Sequence, residues 1–285
     1  MKKVLIAGAT GYLGRYLIKE ANKQGYWVRA LARNANKLHD LEDSIDEIYE
    51  TEIIKPNTLN GICDDIDDVI SSIGITRQKD GLTYMDVDYQ ANMNLLKEAK
   101  KSGVKKFIYI SALNGEKLRN LKMCAAKEMF VEQLIKSGMD YCIIRPNGFF
   151  SDMAEFFHMA KRGRVYLFGN GEMEVNPIHG KDLATFCLDS IGKPDKEMEI
   201  GGPETLTHNE IASLAFVTLG TKPKIVHIPN WVRVVILKLV RALTGSKFYG
   251  PIEFFMTVMA MDMIAPEYGK FKLKNFFAGL NSDNA

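Results

Sequence analysis

The sequence predicts an α/β protein built on a doubly wound parallel sheet, and three observations support this. Short apolar segments alternate with helix-like segments from the N-terminus to about Arg145. The first apolar segment, residues 4–7, runs directly into a glycine-rich turn that a helix-like segment follows. The 285 residues are 46% hydrophobic and 25% charged, as in globular proteins that bury a large core. Alternating strands and helices form right-handed crossover units, with helices on both faces of the sheet.

The elements follow a regular order in the first half of the chain. Apolar segments predict strands at residues 4–7, 27–32, 48–53, 69–72, 106–111 and 141–145. Helical periodicity predicts helices at residues 13–24, 87–102 and 124–137. Gly103 and Gly138 follow the last two helices, as glycines often do at helix ends. Beyond Pro146, glycines and prolines shorten the pieces, leaving brief strands at residues 198–200 and 224–228.

The turn after the first strand carries three glycines, Gly8, Gly11 and Gly14. A strand, a glycine turn and a helix, in this order, form the context in which such a loop binds a dinucleotide. Gly8 permits the tight turn, Gly11 lets the backbone approach the pyrophosphate, and Gly14 lets the helix pack on the strand. The loop residues between them that we also expect to bind the cofactor are Thr10, Tyr12 and Leu13. The alternative is a purely structural turn.

The end of the second strand indicates which dinucleotide is bound. Sites that prefer NAD usually carry Asp or Glu there, which accepts a hydrogen bond from the ribose 2′-hydroxyl. This chain has Arg33 instead, a permanent cation whose planar fork suits a phosphate, and Lys37 follows one helical turn later. The sequence therefore predicts NADP(H), whereas an exposed arginine with no cofactor role would leave the choice open.

The loss of regular alternation after Pro146 predicts two regions. We expect residues 1–150 to form a Rossmann-type, NAD(P)-binding domain and residues 151–285 to form a smaller substrate-side region packed on it. Residues 231–243 and 254–265 are apolar but too short to span a bilayer. They remain open to three interpretations: helices packed on the core or on another subunit, a lid over an apolar substrate, or a surface that touches a membrane or a protein partner.

Composition excludes several classes of function. A net charge of +2 argues against nucleic acid as a partner. We expect a small-molecule substrate, and we expect the protein to be a monomer or a homodimer. Scattered cysteines and histidines predict no metal site. The scattered cysteines also predict reduced thiols, as in a cytoplasmic protein. They are Cys63, Cys124, Cys142 and Cys187. The first strand begins at the N-terminus of the chain, which predicts no signal peptide.

Several ordered motifs give the chain a family resemblance. They are GATGYLG at 8–14, SSIG at 71–74, VDYQANMNLL at 87–96, FIYISALNG at 107–115, YCIIRPNGFF at 141–150, PIHGKDLA at 177–184 and GGPETLTHNEIA at 201–212. With these motifs the chain resembles the atypical short-chain dehydrogenase/reductase superfamily, on its NmrA-like side. Similar branches include bacterial NAD(P)H-binding reductases, divinyl chlorophyllide vinyl reductases and photosystem assembly factors. The resemblance covers about residues 1–215 and implies a Rossmann-type fold.

The resemblance also implies active-site residues, with one departure. Superfamily dehydrogenases carry a tyrosine one helical turn before a lysine; the lysine binds the nicotinamide ribose and the tyrosine transfers a proton. Lys127 stands at the lysine position, but Met123 stands at the tyrosine position, and a thioether cannot transfer that proton. Ser111 matches the serine that polarises the substrate. Further residues expected to contact the dinucleotide are Ser72, Gly74, Pro146, Asn147 and Gly148.

Two roles for Lys127 and two functions follow. A partly desolvated pocket that lowers the pKa of Lys127 would make it the acid/base; otherwise it only holds the ribose, and the proton comes from water, Tyr109 or the substrate. The leading hypothesis is an NADPH-dependent reductase of a small apolar or conjugated substrate. The alternative is a non-catalytic redox sensor or assembly protein that binds the dinucleotide. Met123 argues against sugar-nucleotide epimerisation.

Overall fold

The computed structural model describes residues 1–75, 81–243 and 246–282. The strands are β1 Lys3–Ala7, β2 Trp27–Ala32, β3 Glu47–Glu50, β4 Asp68–Ser71, β5 Lys106–Ile110, β6 Asp140–Pro146, β7 Val165–Phe168, β8 Glu174–Val175, β9 Glu197–Ile200, β10 Leu206–Thr207 and β11 Ile225–Ile228. The α-helices are α1 Tyr12–Lys23, α2 Asn92–Lys101, α3 Lys122–Lys136, α4 Phe150–Lys161, α5 Gly180–Asp189, α6 His208–Thr218, α7 Asn230–Leu243, α8 Ser246–Val258 and α9 Leu273–Ser282.

Seven strands form one parallel sheet in the order β3-β2-β1-β4-β5-β6-β9, which confirms the predicted doubly wound α/β fold. At the end of β1, Ala7 is in register with Leu31 of β2 on one side and with Ser71 of β4 on the other. The chain therefore changes direction across the sheet at β1. In open parallel sheets, ligands bind at such a switch point, outside the carboxyl ends of the strands.

The central strands β4 and β5 are buried at every residue, whereas the edge strands β3 and β9 are partly exposed. All residues of β5 are buried, and the ring of Tyr109 packs 4.6 Å from the ring of Phe130 on α3. Phe107, two residues earlier on β5, contacts the same Phe130 ring at 5.9 Å. On α1, Leu17 and Ala21 lie one turn apart on the buried face, as helical periodicity requires. These contacts hold α3 against β5, and so fix the position of Lys127.

The helix predicted at residues 87–102 begins in an unexpected conformation. Met85–Ala91 is π-helical, and α2 continues from it. Inside this junction the Asn92 side chain donates to the carbonyl of Asp88 at 3.0 Å and accepts from the Ser71 hydroxyl at 2.6 Å. Asp88 and Asn92 are both fully buried. Local π-helical turns inside helices occur often at functional sites.

Residue contacts divide the chain into two compact units. The first comprises Met1–Arg145 together with Leu183–Met198, and the second comprises Pro146–Asp182 together with Glu199–Ala285. The division thus differs from the predicted 1–150 and 151–285, because Leu183–Met198 returns to the first unit and supplies residues of β9.

The second unit has two small sheets and a helical cluster. Strand β8 pairs with β10 antiparallel, and β7 pairs with β11 parallel. Helices α4, α6 and α9 pack together, with Phe157 and Phe277 rings 5.6 Å apart. Within the residues that the structure describes, no helix combines the length and apolarity needed to cross a membrane.

Candidate dinucleotide site and buried lysine

The turn between β1 and α1 is one in which two of the three glycines are required. Gly8 adopts φ +83°, and a Cβ there would lie 2.7 Å from the Ser72 hydroxyl. A Cβ on Gly14 would lie 2.1 Å from the carbonyl oxygen of Gly8. The amide of Gly11 donates to that same carbonyl at 2.9 Å. The Ser72 hydroxyl donates to the Ala7 carbonyl at 3.0 Å, so the loops after β1 and β4 lie together.

The beginning of α1 suits an anion. Its N-cap is Gly11, which has no side chain to cap the helix, and its first turn holds no acidic residue. Thr10 and Gly11 are exposed. A helix N-terminus carries a partial positive charge and unsatisfied N–H groups, the features that bind a pyrophosphate. Leu13 is buried, which leaves only its backbone for a ligand.

Near Arg33 and Lys37, the cationic residues predicted at the end of β2, lies a third cationic residue, Arg15. Arg33 and Lys37 are exposed, as a phosphate site requires. Arg15 of α1 donates to the carbonyl of Lys37 at 3.0 Å and forms an ion pair with Asp40. Arg15 was missed by the sequence reasoning, although its place directly after Gly14 was a usable signal.

Lys127 on α3 points to a carboxylate that the sequence reasoning did not single out. Its Nζ lies 3.2 Å from Oδ1 of Asp88 and 3.4 Å from the carbonyl oxygen of Ile110 at the end of β5. Only 12% of the Lys127 side chain is exposed, and none of Asp88. The other carboxylate oxygen of Asp88 accepts from the amide of Ile75 at 3.2 Å. The ion pair thus ties α3 to the loop after β4.

Gly74 lies directly against this ion pair. A Cβ at Gly74 would lie 2.7 Å from Asp88 Oδ1 and 3.0 Å from Lys127 Nζ. The sequence predicts that Gly74 contacts the cofactor, and in the structure the Asp88–Lys127 pair occupies the space that a side chain at Gly74 would need.

Lys127 is held as a cation. Burial alone would lower its pKa, but the neighbouring Tyr109 and Asp88 raise the pKa above the usual lysine value. Of the two roles left open for Lys127, the direction of this pKa shift favours holding the ribose over acid/base catalysis, because the buried counterion outweighs desolvation. Burial raises the pKa of Asp88, and Lys127 opposes that rise. Burial also raises the pKa of Tyr109 to about 12, so this phenol keeps its proton.

Ser111, the predicted substrate-polarising residue, lies in a buried ionic network. Its hydroxyl donates to Oε1 of Glu128 at 3.1 Å and accepts from Arg145 at 3.3 Å. Arg145 donates to Glu128 through its two terminal nitrogens, Nη1 and Nη2, and pairs with Glu197 through Nε. A serine has a single O–H to donate, and here Glu128 receives it. Ser111 thus donates to the protein, not to a substrate, in this arrangement.

The residues that follow β6 belong to the second unit. Asn147 is buried, and its side-chain amide donates to Oδ1 of Asn176 at 2.7 Å and to the carbonyl of Met263. Its own Oδ1 accepts from the Gly148 amide at 2.7 Å. The contact of Pro146, Asn147 and Gly148 with a nicotinamide stays a prediction.

Comparison with known proteins identifies the family. A family model described as NAD(P)H-binding matches residues 8–194, which include the glycine turn and Lys127. The chain belongs to this NAD(P)H-binding family. Among the described residues, no group of three or more His, Cys, Asp or Glu side chains has the arrangement of a metal site.

Two relatives belong to two different functional classes. The chloroplastic divinyl chlorophyllide a 8-vinyl-reductase of Arabidopsis thaliana is 27% identical, over 96% of this chain and 76% of the relative. The photosystem II assembly factor Ycf39 of Synechocystis is also 27% identical, over 85% of this chain and 74% of the relative.

Solved structures of similar fold are more distant in sequence. The NADPH-dependent quinone oxidoreductase of Escherichia coli, complexed with NADPH, is 16% identical with a TM-score of 0.74, over 98% of this chain and 99% of that one. An isoflavone reductase is 19% identical with a TM-score of 0.75, over 98% and 99% of the two chains. At this identity the similarity supports the Rossmann-type fold alone.

Proposed function

We propose that this protein binds NADP(H) and reduces a small apolar or conjugated substrate. The observation that carries the proposal is the buried Asp88–Lys127 ion pair, 3.2 Å long, against Gly74. It fixes one ammonium group beside the carboxyl ends of β4 and β5, the edge where open parallel sheets bind ligands. A cytoplasmic location is part of the proposal and can be tested by cell fractionation.

The preference for NADP(H) is supported by charge at the end of β2. Arg33 and Lys37 are exposed there, and Arg15 contacts the backbone of Lys37. No carboxylate stands at position 33 to accept a hydrogen bond from a ribose 2′-hydroxyl. A guanidinium fork binds a phosphate through two parallel hydrogen bonds, which favours the 2′-phosphate.

The chemistry divides between the cofactor and the chain. A bound nicotinamide supplies the hydride when reduced. In the proposal, the turn with Gly8, Gly11 and Gly14 binds the pyrophosphate, and Lys127 holds the ribose hydroxyls through its ammonium group. With its pKa raised, Lys127 is a poor proton donor at neutral pH. The proton therefore comes from water or from the substrate. The Ser111 hydroxyl holds the carboxylate of Glu128 in position.

A conjugated double bond is the favoured acceptor. Reduction of a vinyl group is the reaction named for the plant relatives, and similarity over 96% of the chain supports a related substrate class here. An activated alkene needs a hydride and a proton, and it does not need the tyrosine that a carbonyl acceptor uses in the superfamily. Met123 is compatible with such a substrate.

The test is NADPH oxidation by the purified protein with enones, quinones, aldehydes, flavins and a vinyl-substituted tetrapyrrole. Turnover is expected with at least one conjugated acceptor, and Lys127→Met is expected to abolish it. Lys122→Met is the matched control, because Lys122 is an exposed lysine on the same helix. Turnover by Lys127→Met at the wild-type rate would contradict the proposed role of Lys127.

A second candidate function is a dinucleotide-binding sensor or assembly protein without turnover. Met123 at the tyrosine position and the commitment of Ser111 to Glu128 favour it. The relative Ycf39 is named as an assembly factor. This candidate predicts tight NADPH binding with no oxidation across the panel. It also predicts at least about a tenfold difference in affinity between NADPH and NADP+, measured by calorimetric titration, since a sensor must distinguish the two states.

A further inference from the structure

Helix α7, Asn230–Leu243, presents an apolar face that no described residue of its own unit covers. None of its residues is buried. Trp231, Val235 and Leu239 are 67%, 43% and 53% exposed, and they are spaced four residues apart on one face. Isolated exposed apolar residues are normal, but an aligned row of three large ones marks a binding surface.

The opposite face of α7 has a partner within the described residues, helix α8. Arg233 donates from Nη1 to the carbonyl of Met256 at 3.0 Å, and the guanidinium of Arg241 lies 5.5 Å from the ring centroid of Tyr249. A cavity of about 220 Å³ separates the two helices and is lined in part by Arg233, Lys238, Arg241 and Glu253. The apolar row is therefore the outer face of a docked helix, and Lys238 is exposed beside it.

Charge decides which partner fits this face. No aspartate or glutamate occurs between Glu210 and Glu253. The same stretch contains the cations Lys222, Lys224, Arg233, Lys238, Arg241 and Lys247. A second copy would bring two such cationic segments together, and like charges would oppose that contact. An anionic surface would be attracted by them.

We propose that α7 docks this protein on an anionic lipid surface. The helix would lie in the plane of the interface, with Trp231, Val235 and Leu239 at the boundary between headgroups and acyl chains. Tryptophan is favoured at that depth, and exposed lysine and arginine contribute attraction to acidic headgroups. The inference does not depend on the proposed reductase activity, since it concerns α7 alone.

The test uses the full-length protein with vesicles of pure phosphatidylcholine and of phosphatidylcholine with phosphatidylglycerol. The chain contains two tryptophans, so in Trp27→Phe the tryptophan emission comes from Trp231 alone. We expect co-flotation and a blue shift of Trp231 emission with the anionic vesicles only. Trp231→Ser combined with Leu239→Ser should lower partitioning at least about tenfold, and Lys238→Ala about fivefold.

The control and the contrary outcomes separate lipid from other occupants. Val217→Ser removes another exposed apolar side chain, 61% exposed on α6, and should leave partitioning unchanged. Equal flotation with both vesicle types, or with neither, would overturn the proposal. A dimer in light scattering that Leu239→Ser dissociates would assign the face to a second copy instead. A rise in KM on Leu239→Ser with no lipid binding would assign it to a lid over the substrate.

Discussion

Oδ1 of Asp88 lies 3.2 Å from Nζ of Lys127, with Gly74 directly against the pair. The contact joins three segments that are distant in the sequence: the loop after β4, the π-helical segment and α3. It explains why a lysine in the interior stays charged, because the carboxylate compensates for the loss of water around it. Together with the carbonyl oxygen of Ile110, it fixes the position of the lysine ammonium group.

Removal of the carboxylate is expected to be more damaging than removal of the lysine. Asp88→Asn leaves a buried ammonium without a counterion and should lower the free energy of unfolding at pH 7 by about 3–5 kcal/mol. Lys127→Met should cost less, since the remaining carboxyl can bind a proton and become neutral. Urea unfolding of both variants measures the difference.

The double variant Asp88→Asn with Lys127→Met completes a thermodynamic cycle. It should be more stable than Asp88→Asn alone, because no unpaired charge remains in the interior. Strictly additive losses in the two single variants would show that the ion pair contributes no coupling and would contradict this account.

Ser111→Ala tests whether the serine is structural. Loss of its hydrogen bond to Glu128 should lower the free energy of unfolding by about 1 kcal/mol and leave NADPH affinity within about twofold. Ser102→Ala is the matched control, since Ser102 donates to Asp64 in an exposed setting and should change stability by less than about 0.5 kcal/mol. A hundredfold fall in kcat at unchanged stability would instead make Ser111 a catalytic residue.

Local patterns were sufficient to predict the first six strands of the sheet, but not that β9 joins it. The strand predicted at residues 27–32 has the observed bounds, because apolar residues surround its one charged residue, Arg29. The glycine turn was predictable for the same reason, since every residue that shapes it is close in sequence. Helix α4 was not predicted, and Phe150, Phe156 and Phe157 lie buried on it in the core.

The site was less predictable than the fold because its contacts join distant segments. Asp88 looked like an ordinary helix residue, and only the packing of α3 on β5 brings Lys127 to it. Ser111 matched a family motif. The direction of its hydroxyl, however, depends on Glu128 and Arg145, which lie farther along the sequence. Sequence identifies the residue types at such positions, and tertiary packing decides their partners.

Arg33→Ala tests the choice of dinucleotide. Loss of a charged hydrogen bond to the 2′-phosphate should weaken NADPH binding by about 2 kcal/mol, about thirtyfold, with NADH affinity nearly unchanged. Calorimetric titration of both dinucleotides measures this. Arg164→Ala, at another exposed arginine, should leave both affinities unchanged. Equal losses for NADPH and NADH on Arg33→Ala would remove Arg33 from the recognition of the 2′-phosphate.

His208 predicts a loss of stability in mild acid. Burial lowers its pKa to about 4, and Asp262 only partly opposes this. An unfolded chain binds this proton near pH 6.5, but the folded protein does not until about pH 4. The free energy of unfolding is therefore unaffected by His208 above about pH 6.5. It falls by about 3 kcal/mol as the pH is lowered from about 6.5 to about 4, because only the unfolded chain binds the proton there. Urea unfolding between pH 7 and 4 should show this fall, and His208→Gln should reduce it. His39→Gln, at an exposed histidine, should retain it. An identical pH profile for wild type and His208→Gln would mean that other groups cause the acid sensitivity.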